Sequence, residues 1–169
     1  MIRLAGSLLI LGAFGWLGFS SGWELRRRTA LLSELLGAIE RFGRELERSL
    51  KPLPALLDEL SRQTTKNLAF FFSACAQHSR EPEPSFSAGW QKELEQLSPK
   101  LGERAAVCMA GLGRGLGRYD EEGEHQLLTA TVLELRECVA ESREQCRQRC
   151  RLYGTLGMTA GAMCVIFLL

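Results

Sequence analysis

Charge is missing from two long stretches of the chain. No Asp, Glu, Lys or Arg occurs in residues 4–23 (LAGSLLILGAFGWLGFSSGW) or 152–169 (LYGTLGMTAGAMCVIFLL). An ordinary soluble domain does not carry two such runs. A helix rising ~1.5 Å per residue covers the ~30 Å hydrocarbon core of a bilayer in ~20 residues. An excess of one charge sign is lacking too. The chain has 21 basic and 20 acidic residues, and all but Arg3 fall within 24–151, which is therefore neutral. A neutral region offers nucleic acid no electrostatic footprint. Ile and Val are scarce in 24–151 and no run alternates with a period of two, which excludes a sheet. Histidine is limited to His78 and His125. The six cysteines (Cys75, Cys108, Cys138, Cys146, Cys150 and Cys164) contain no Cys-x-x-Cys pair, the common zinc spacing. Roughly 130 residues between the uncharged runs make one domain at most, too little for a large enzyme.

The uncharged runs read as membrane anchors. A secretory signal peptide is the rival for residues 4–23, but the segment around Phe19, Ser20, Ser21 and Gly22 lacks an Ala-x-Ala cleavage pattern. Arg26, Arg27 and Arg28 follow at once, and basic residues directly after an apolar helix resist translocation. Arg147, Arg149 and Arg151 stand before the second run. The positive-inside rule then places 24–151 in the cytoplasm of a multi-pass protein of the cell membrane, with both termini outside. The expected organisation is a short tail (1–3), a transmembrane helix (4–23), a cytoplasmic helical bundle (24–151) and a second transmembrane helix (152–169). Gly18-x-x-x-Gly22 and Gly157-x-x-x-Gly161 match the small-xxx-small pattern that lets membrane helices pack closely; glycine is also simply common in such helices.

Helical periodicity runs through the middle. Leu32, Leu35, Ile39, Phe42 and Leu46 step by three and four, as do Leu128, Val132, Leu135, Val139, Ser142 and Cys146. No Pro or Gly cluster separates either stripe from its neighbouring anchor, so both long helices are expected to continue from the membrane spans. Shorter helices lie between. Pro52 and Pro54 open one lined by Leu53, Leu56, Leu57 and Leu60. Asn67 is placed to cap a helix holding Leu68, Phe70, Phe71, Phe72 and Cys75. Ser87 is placed to cap one with Trp90, Leu94 and Leu97, and Ser98-Pro99 to begin another with Leu101, Ala105, Cys108 and Leu112 inward. Gly111-Leu-Gly-Arg-Gly-Leu-Gly117 is expected to break that helix, and Asp120 to cap the last one. The expectation is an all-α fold: two transmembrane helices flanking a cytoplasmic bundle of about six helices.

Motifs for chemistry are weak. The glycine-rich stretch lacks Gly-Lys-Ser/Thr, follows a helix rather than a strand, and does not match G-x-G-x-x-G, so a flexible helix–helix turn is expected, with no ATP and no other cofactor. Glu122-x-x-His125 is half of a di-iron pattern; at the matching offset His78 is preceded by Cys75, not a carboxylate. The cysteines read as small buried apolar groups in a reducing cytoplasm. No catalytic residue, cofactor site or metal site is assigned. Charges on the long helices, such as Glu40–Arg44 and Glu137–Glu141, are read as a solvated face with both favourable and unfavourable spacings. The arginines beside the anchors suit anionic lipid head groups.

Several short pieces, in order, carry a resemblance. They are Trp16-Leu-Gly-Phe19, the cluster Arg26, Arg27 and Arg28, Pro52-Leu-Pro54, Trp90, Leu116-Gly117-x-x-Asp120 and Leu156-Gly157-x-x-x-Gly161. Together they resemble the stage III sporulation protein AB family of endospore-forming bacteria along essentially the whole chain. One departure is Glu124, where the family pattern has Gln four residues after the Asp. The family is similar in its cytoplasmic domain to the inner-membrane platform protein of type II secretion and type IV pilus machines. The resemblance implies a place in the channel complex between mother cell and forespore, in the mother-cell membrane. The partners it implies are a secretion-type ATPase, resembling stage III sporulation protein AA, and other membrane subunits of that complex.

The expected function is a non-enzymatic membrane platform coupling that ATPase to the membrane assembly. Arg114, Gly117, Arg118 and Asp120 are the candidate docking residues; Gly18, Gly22, Gly157 and Gly161 are candidates for transmembrane packing. The alternative is a membrane-anchored signalling or regulatory helical module without a motor partner. A membrane enzyme built on His125 and nearby carboxylates comes third.

Overall fold

The computed structural model describes the backbone of residues 2–48, 51–80, 85–116 and 121–168, and side chains within 23–48, 51–80, 85–116 and 122–149. Every described element is helical: α1 (Ile2–Arg48), α2 (Leu53–Gln63), α3 (Lys66–His78), α4 (Phe86–Leu101), α5 (Glu103–Gly115) and α6 (Glu121–Leu168). α1 and α6 each take in one uncharged stretch, so the described residues form six helices, with the expected anchors falling within the bounds of the two long ones. Among the described residues no helix is long and apolar enough to cross a membrane. The anchors expected at 4–23 and 152–169 fall, Trp23 apart, on side chains outside the described residues, and Gly18, Gly22, Gly157 and Gly161 with them.

The chain divides into two compact units, 1–29 with 140–169, and 30–139. The second holds the hydrophobic core. Leu32, Leu35, Ile39 and Phe42 of α1 and Leu128, Leu135, Cys138 and Val139 of α6 are buried, as their stripes require. Each short helix adds its apolar face: Leu56, Leu57 and Leu60 from α2; Leu68, Phe71, Phe72 and Cys75 from α3; Trp90, Leu94, Leu97 and Leu101 from α4; Ala105, Met109 and Leu112 from α5. Consecutive short helices pack on one another, α2 on α3, α3 on α4 and α4 on α5. Ion pairs tie the outer surface. Arg136 of α6 reaches Glu40 of α1 at 2.7 Å, and His125 Nδ1 lies 2.6 Å from Glu47. Glu40 therefore serves the neighbouring helix rather than Arg44 one turn along.

Several local expectations are corrected. The N-cap of α3 is Thr65, not Asn67; the Thr65 N–H and hydroxyl both donate to the Glu34 carboxylate of α1, while Asn67 Oδ1 accepts from Lys100 Nζ at 3.0 Å. α4 starts after Ser85, two residues before Ser87. It also passes through Ser98-Pro99 to Leu101. Proline cannot donate to the carbonyl four residues back, that of Glu95, and there the Ser98 hydroxyl donates to it instead at 3.0 Å. The break comes at Gly102, whose φ of 89° suits a residue without a Cβ. The Gly102 N–H closes α4 onto the Ser98 carbonyl at 2.9 Å, and its own carbonyl accepts from Ala106 of α5 at 3.0 Å. Phe70 is on the outside of α3, 64% exposed. The opening of α2 follows the expectation: Pro52 is its N-cap and Pro54 lies in its first turn.

In the other unit, the described part joins α1 and α6 through Thr29. Its hydroxyl donates to the Leu25 carbonyl at 2.9 Å and lies 2.7 Å from the Ser142 hydroxyl. Glu144 accepts from Arg147 and Gln148, which together hold its carboxyl below the usual range. The Arg27 guanidinium stands 5.6 Å from the Trp23 ring.

Candidate docking surface

The glycine-rich stretch does not break α5 at its start. Residues 111–115 remain helical, and α5 ends at Leu116, whose N–H is bonded to the Leu112 carbonyl at 3.0 Å. The reason is a tertiary contact. A Cβ on Gly113 would lie 2.1–2.4 Å from ring atoms of Trp90, closer than any side chain can stand. Glycine there lets the indole of α4 lie directly on the α5 backbone. The indole N–H donates to the Met109 carbonyl at 2.8 Å, and its ring meets Phe71 edge-on with centroids 4.9 Å apart. Trp90 is 1% exposed. A buried, bonded, aromatic-packed side chain thus fixes where the last turns of α5 lie.

Arg114 projects from those turns. It is exposed, and its Nε donates to the Ala110 carbonyl at 3.3 Å. It forms no ion pair among the described residues, so its charge faces solvent. Gly117, Arg118 and Asp120 lie outside the described residues. One of the four candidate docking residues is therefore placed, on a rigidly seated helix end.

Beside Arg114 a groove of about 660 Å³ runs between α5 and α6. Cys108, Leu112 and Thr131 line it, with Val107 and Gly111 on the α5 side and Leu127 and Ala130 on the α6 side. Val107 is 64% exposed, and among the described residues no atom beyond the helix's own backbone and the two chain neighbours lies within 4 Å of a Cβ built on Gly111. At one end Arg104 reaches across to Glu134 (3.5 Å) and Glu137 (2.7 Å). The Cys108 thiol is held to the Thr131 carbonyl at 3.7 Å; burial first, then the Glu134 charge, pushes it up to about 11. It is a protonated packing group at neutral pH. Sequence reading missed this groove. Its only signal was the spacing Glu103, Val107, Gly111, Arg114, which marks one helix face.

Candidate catalytic groups do not assemble. His125 is an exposed partner of Glu47, not of Glu122. His78 lies 3.6 Å from the buried Glu93. Cys75, wholly buried, has its thiol raised well above the ordinary range by burial and then by the Glu93 charge. Among the described residues no three His, Cys, Asp or Glu side chains converge in a way that could hold a metal.

Comparison with known proteins bears on this architecture. The family model described as stage III sporulation protein AB matches residues 3–169. A curated relative of that name from Bacillus subtilis (strain 168) is 23% identical over 173 residues, covering all of both chains. A solved structure titled stage III sporulation protein AB superposes with a TM-score of 0.65 at 16% identity, covering 72% of this chain and 97% of that one. That superposition bears on the helical fold alone.

Proposed function

The chain belongs to the stage III sporulation protein AB family, and from that premise we propose that it is a non-enzymatic platform of the sporulation channel. A role in sporulation follows from membership; the platform role is the further step. In this reading residues 4–23 and 152–169 are the membrane anchors. The region 24–151 is cytoplasmic, and a secretion-type ATPase resembling stage III sporulation protein AA docks on it. The uncharged lengths of the two stretches and the arginines that follow one and precede the other support the anchors. The observation that carries the docking is Arg114: an exposed guanidinium without an ion-pair partner among the described residues, on a helix end that Trp90 holds in place. A surface that receives force must not yield, and a buried indole bonded across two helices supplies that stiffness.

The test is a pull-down of the ATPase by the detergent-solubilised full chain carrying Arg114→Glu and Arg118→Glu. Binding is expected to fall at least tenfold while the helical content and melting temperature of the chain stay unchanged. Undiminished binding removes the docking site. Cysteine-accessibility mapping of both termini and the central region tests the topology: labelling of the central region from outside the cell overturns the anchored, inward-facing arrangement.

A further inference from the structure

We propose that a pocket between α1 and α2 binds a single carboxylate group. Arg41, Arg44 and Glu45 of α1 line it, with Glu59 and Gln63 of α2 over the buried Leu56 and Leu60. All seven belong to the unit formed by residues 30–139. The site does not include Arg114 and stands apart from the docking read there.

The ion pairs of this surface leave two guanidinium groups over. Glu40, one turn before Arg44, accepts twice from Arg136 of α6, at 2.7 and 3.1 Å. Glu47, one turn after it, faces His125. Glu59, inside the pocket, accepts from Lys51 at 3.0 Å. Neither Arg41 nor Arg44 forms an ion pair among the described residues. The Arg41 Nε is also buried, with no acceptor there. A buried N–H that its own chain leaves unmet is costly and calls for an acceptor.

Charge and size select the class of that acceptor. Lys51 serves both acidic lining residues: its proton is held by the Glu59 bond first, and the Glu45 charge adds to this. However Lys51 is shared, Arg41, Arg44 and Lys51 against Glu45 and Glu59 leave one positive charge. A carboxylate brings one negative charge and two coplanar oxygens, which a guanidinium grips in parallel. A phosphate monoester brings about −1.5 to −2, and its second charge would stand against Glu45 and Glu59. The pocket measures about 100 Å³, the space of roughly three waters. That admits a carboxylate with its first methylenes and excludes a nucleotide. Leu56 and Leu60 suit the methylenes, and the Gln63 amide supplies a further donor. An acidic side chain of a protein and a small free acid present the same group, and the experiment separates them.

The full chain in mild detergent, isotope-labelled at arginine, is titrated with acetate at constant ionic strength and, in parallel, with inorganic phosphate. The readout is the Arg41 Nε–H resonance, identified by its loss in Arg41→Lys. The expected result is a saturable shift with acetate, half-complete at a concentration at least fivefold below that for phosphate. Arg44→Gln should weaken the acetate response at least fivefold at an unchanged melting temperature. Glu45→Gln, which raises the local charge by one, should bring phosphate binding up to that of acetate. Should Arg41→Lys fail to fold, the exposed Arg44 carries the test through its Gln variant. No shift, a shift that grows without saturating, or an equal response to both anions in the parent chain overturns the proposal. Gln63→p-benzoylphenylalanine in sporulating cells, with Phe70→p-benzoylphenylalanine as the control on the outer face of α3, then separates the sources. A protein adduct from position 63 that falls at least tenfold with Arg44→Gln, and whose trapped peptide carries Asp or Glu, assigns an acidic side chain. Saturable acetate binding with no adduct assigns a free acid. An adduct indifferent to Arg44→Gln, or a trapped peptide without Asp or Glu, overturns the carboxylate site.

Discussion

Gly111 and Gly113 sit two residues apart on α5 and respond oppositely to the same methyl group. At Gly113 an added Cβ would stand 2.1–2.4 Å from the Trp90 ring. Either the indole or the helix has to move, and overpacking of a filled core costs ~1–3 kcal/mol. Displacing the indole also breaks its bond to the Met109 carbonyl, and a buried N–H left without a partner costs a further ~1–3 kcal/mol. Replacing glycine within a helix returns only ~0.5–1 kcal/mol. The balance for Gly113→Ala is a loss of about 2–4 kcal/mol, a fall of roughly 5–15 °C in melting temperature for a chain of this size. Gly111→Ala, where among the described residues nothing outside its own helix lies within 4 Å of the added Cβ, keeps the helical gain and should raise stability by ~0.5–1 kcal/mol. The assay is thermal melting of the purified full chain in mild detergent, followed by circular dichroism at 222 nm, with the Gly113→Ala cost repeated in a Trp90→Phe background. The smaller ring should absorb most of the clash, leaving a coupling of at least ~1 kcal/mol between the two positions. If Gly113→Ala melts with the parent chain, or costs the same with and without the indole, the close approach of Trp90 is not what holds α5 in place.

Three other outcomes follow from the same geometry. Gly102→Ala should cost ~1–3 kcal/mol, measured by denaturant unfolding, because φ of 89° is open to glycine and strained for any other residue; no loss would mean the α4–α5 joint relaxes freely. The Cys108 thiol is held up to about 11 in the fold, against 9.0 ordinarily. Above pH 9 the unfolded chain releases this proton first, so stability is full below pH 9 and declines as pH rises toward 11. Cys108→Ala should lessen that decline in urea unfolding at pH 8, 9.5 and 10.5. The Glu40–Arg136 pair is largely exposed on the arginine side, and a double-mutant cycle with alanine should give a coupling of only ~0.2–1 kcal/mol that shrinks in high salt.

Much of this protein is determined locally and was therefore legible in the linear chain. The all-helical class follows from a 3.6-residue spacing of Leu, Ile and Phe, and burial of Leu32, Leu35, Ile39 and Phe42 depends on that spacing alone. The start of α2 depends on Pro52 and Pro54, whose fixed φ acts within one turn. Tertiary structure decided the rest, because partners distant in sequence compete with local preference. Ser98-Pro99 carried every local mark of a helix start, yet α4 continues because the Ser98 hydroxyl takes the bond that proline cannot make and Leu101 is wholly buried. Asn67 carried the mark of a cap, yet Thr65 takes the N-cap position, where Glu34, thirty-one residues earlier, accepts both its donors. The glycines from 111 to 117 looked alike as letters. Only the packed molecule separates Gly113, pressed against an indole, from Gly111, open to a groove, since a Cβ is excluded or admitted by atoms from another helix that no local rule can place.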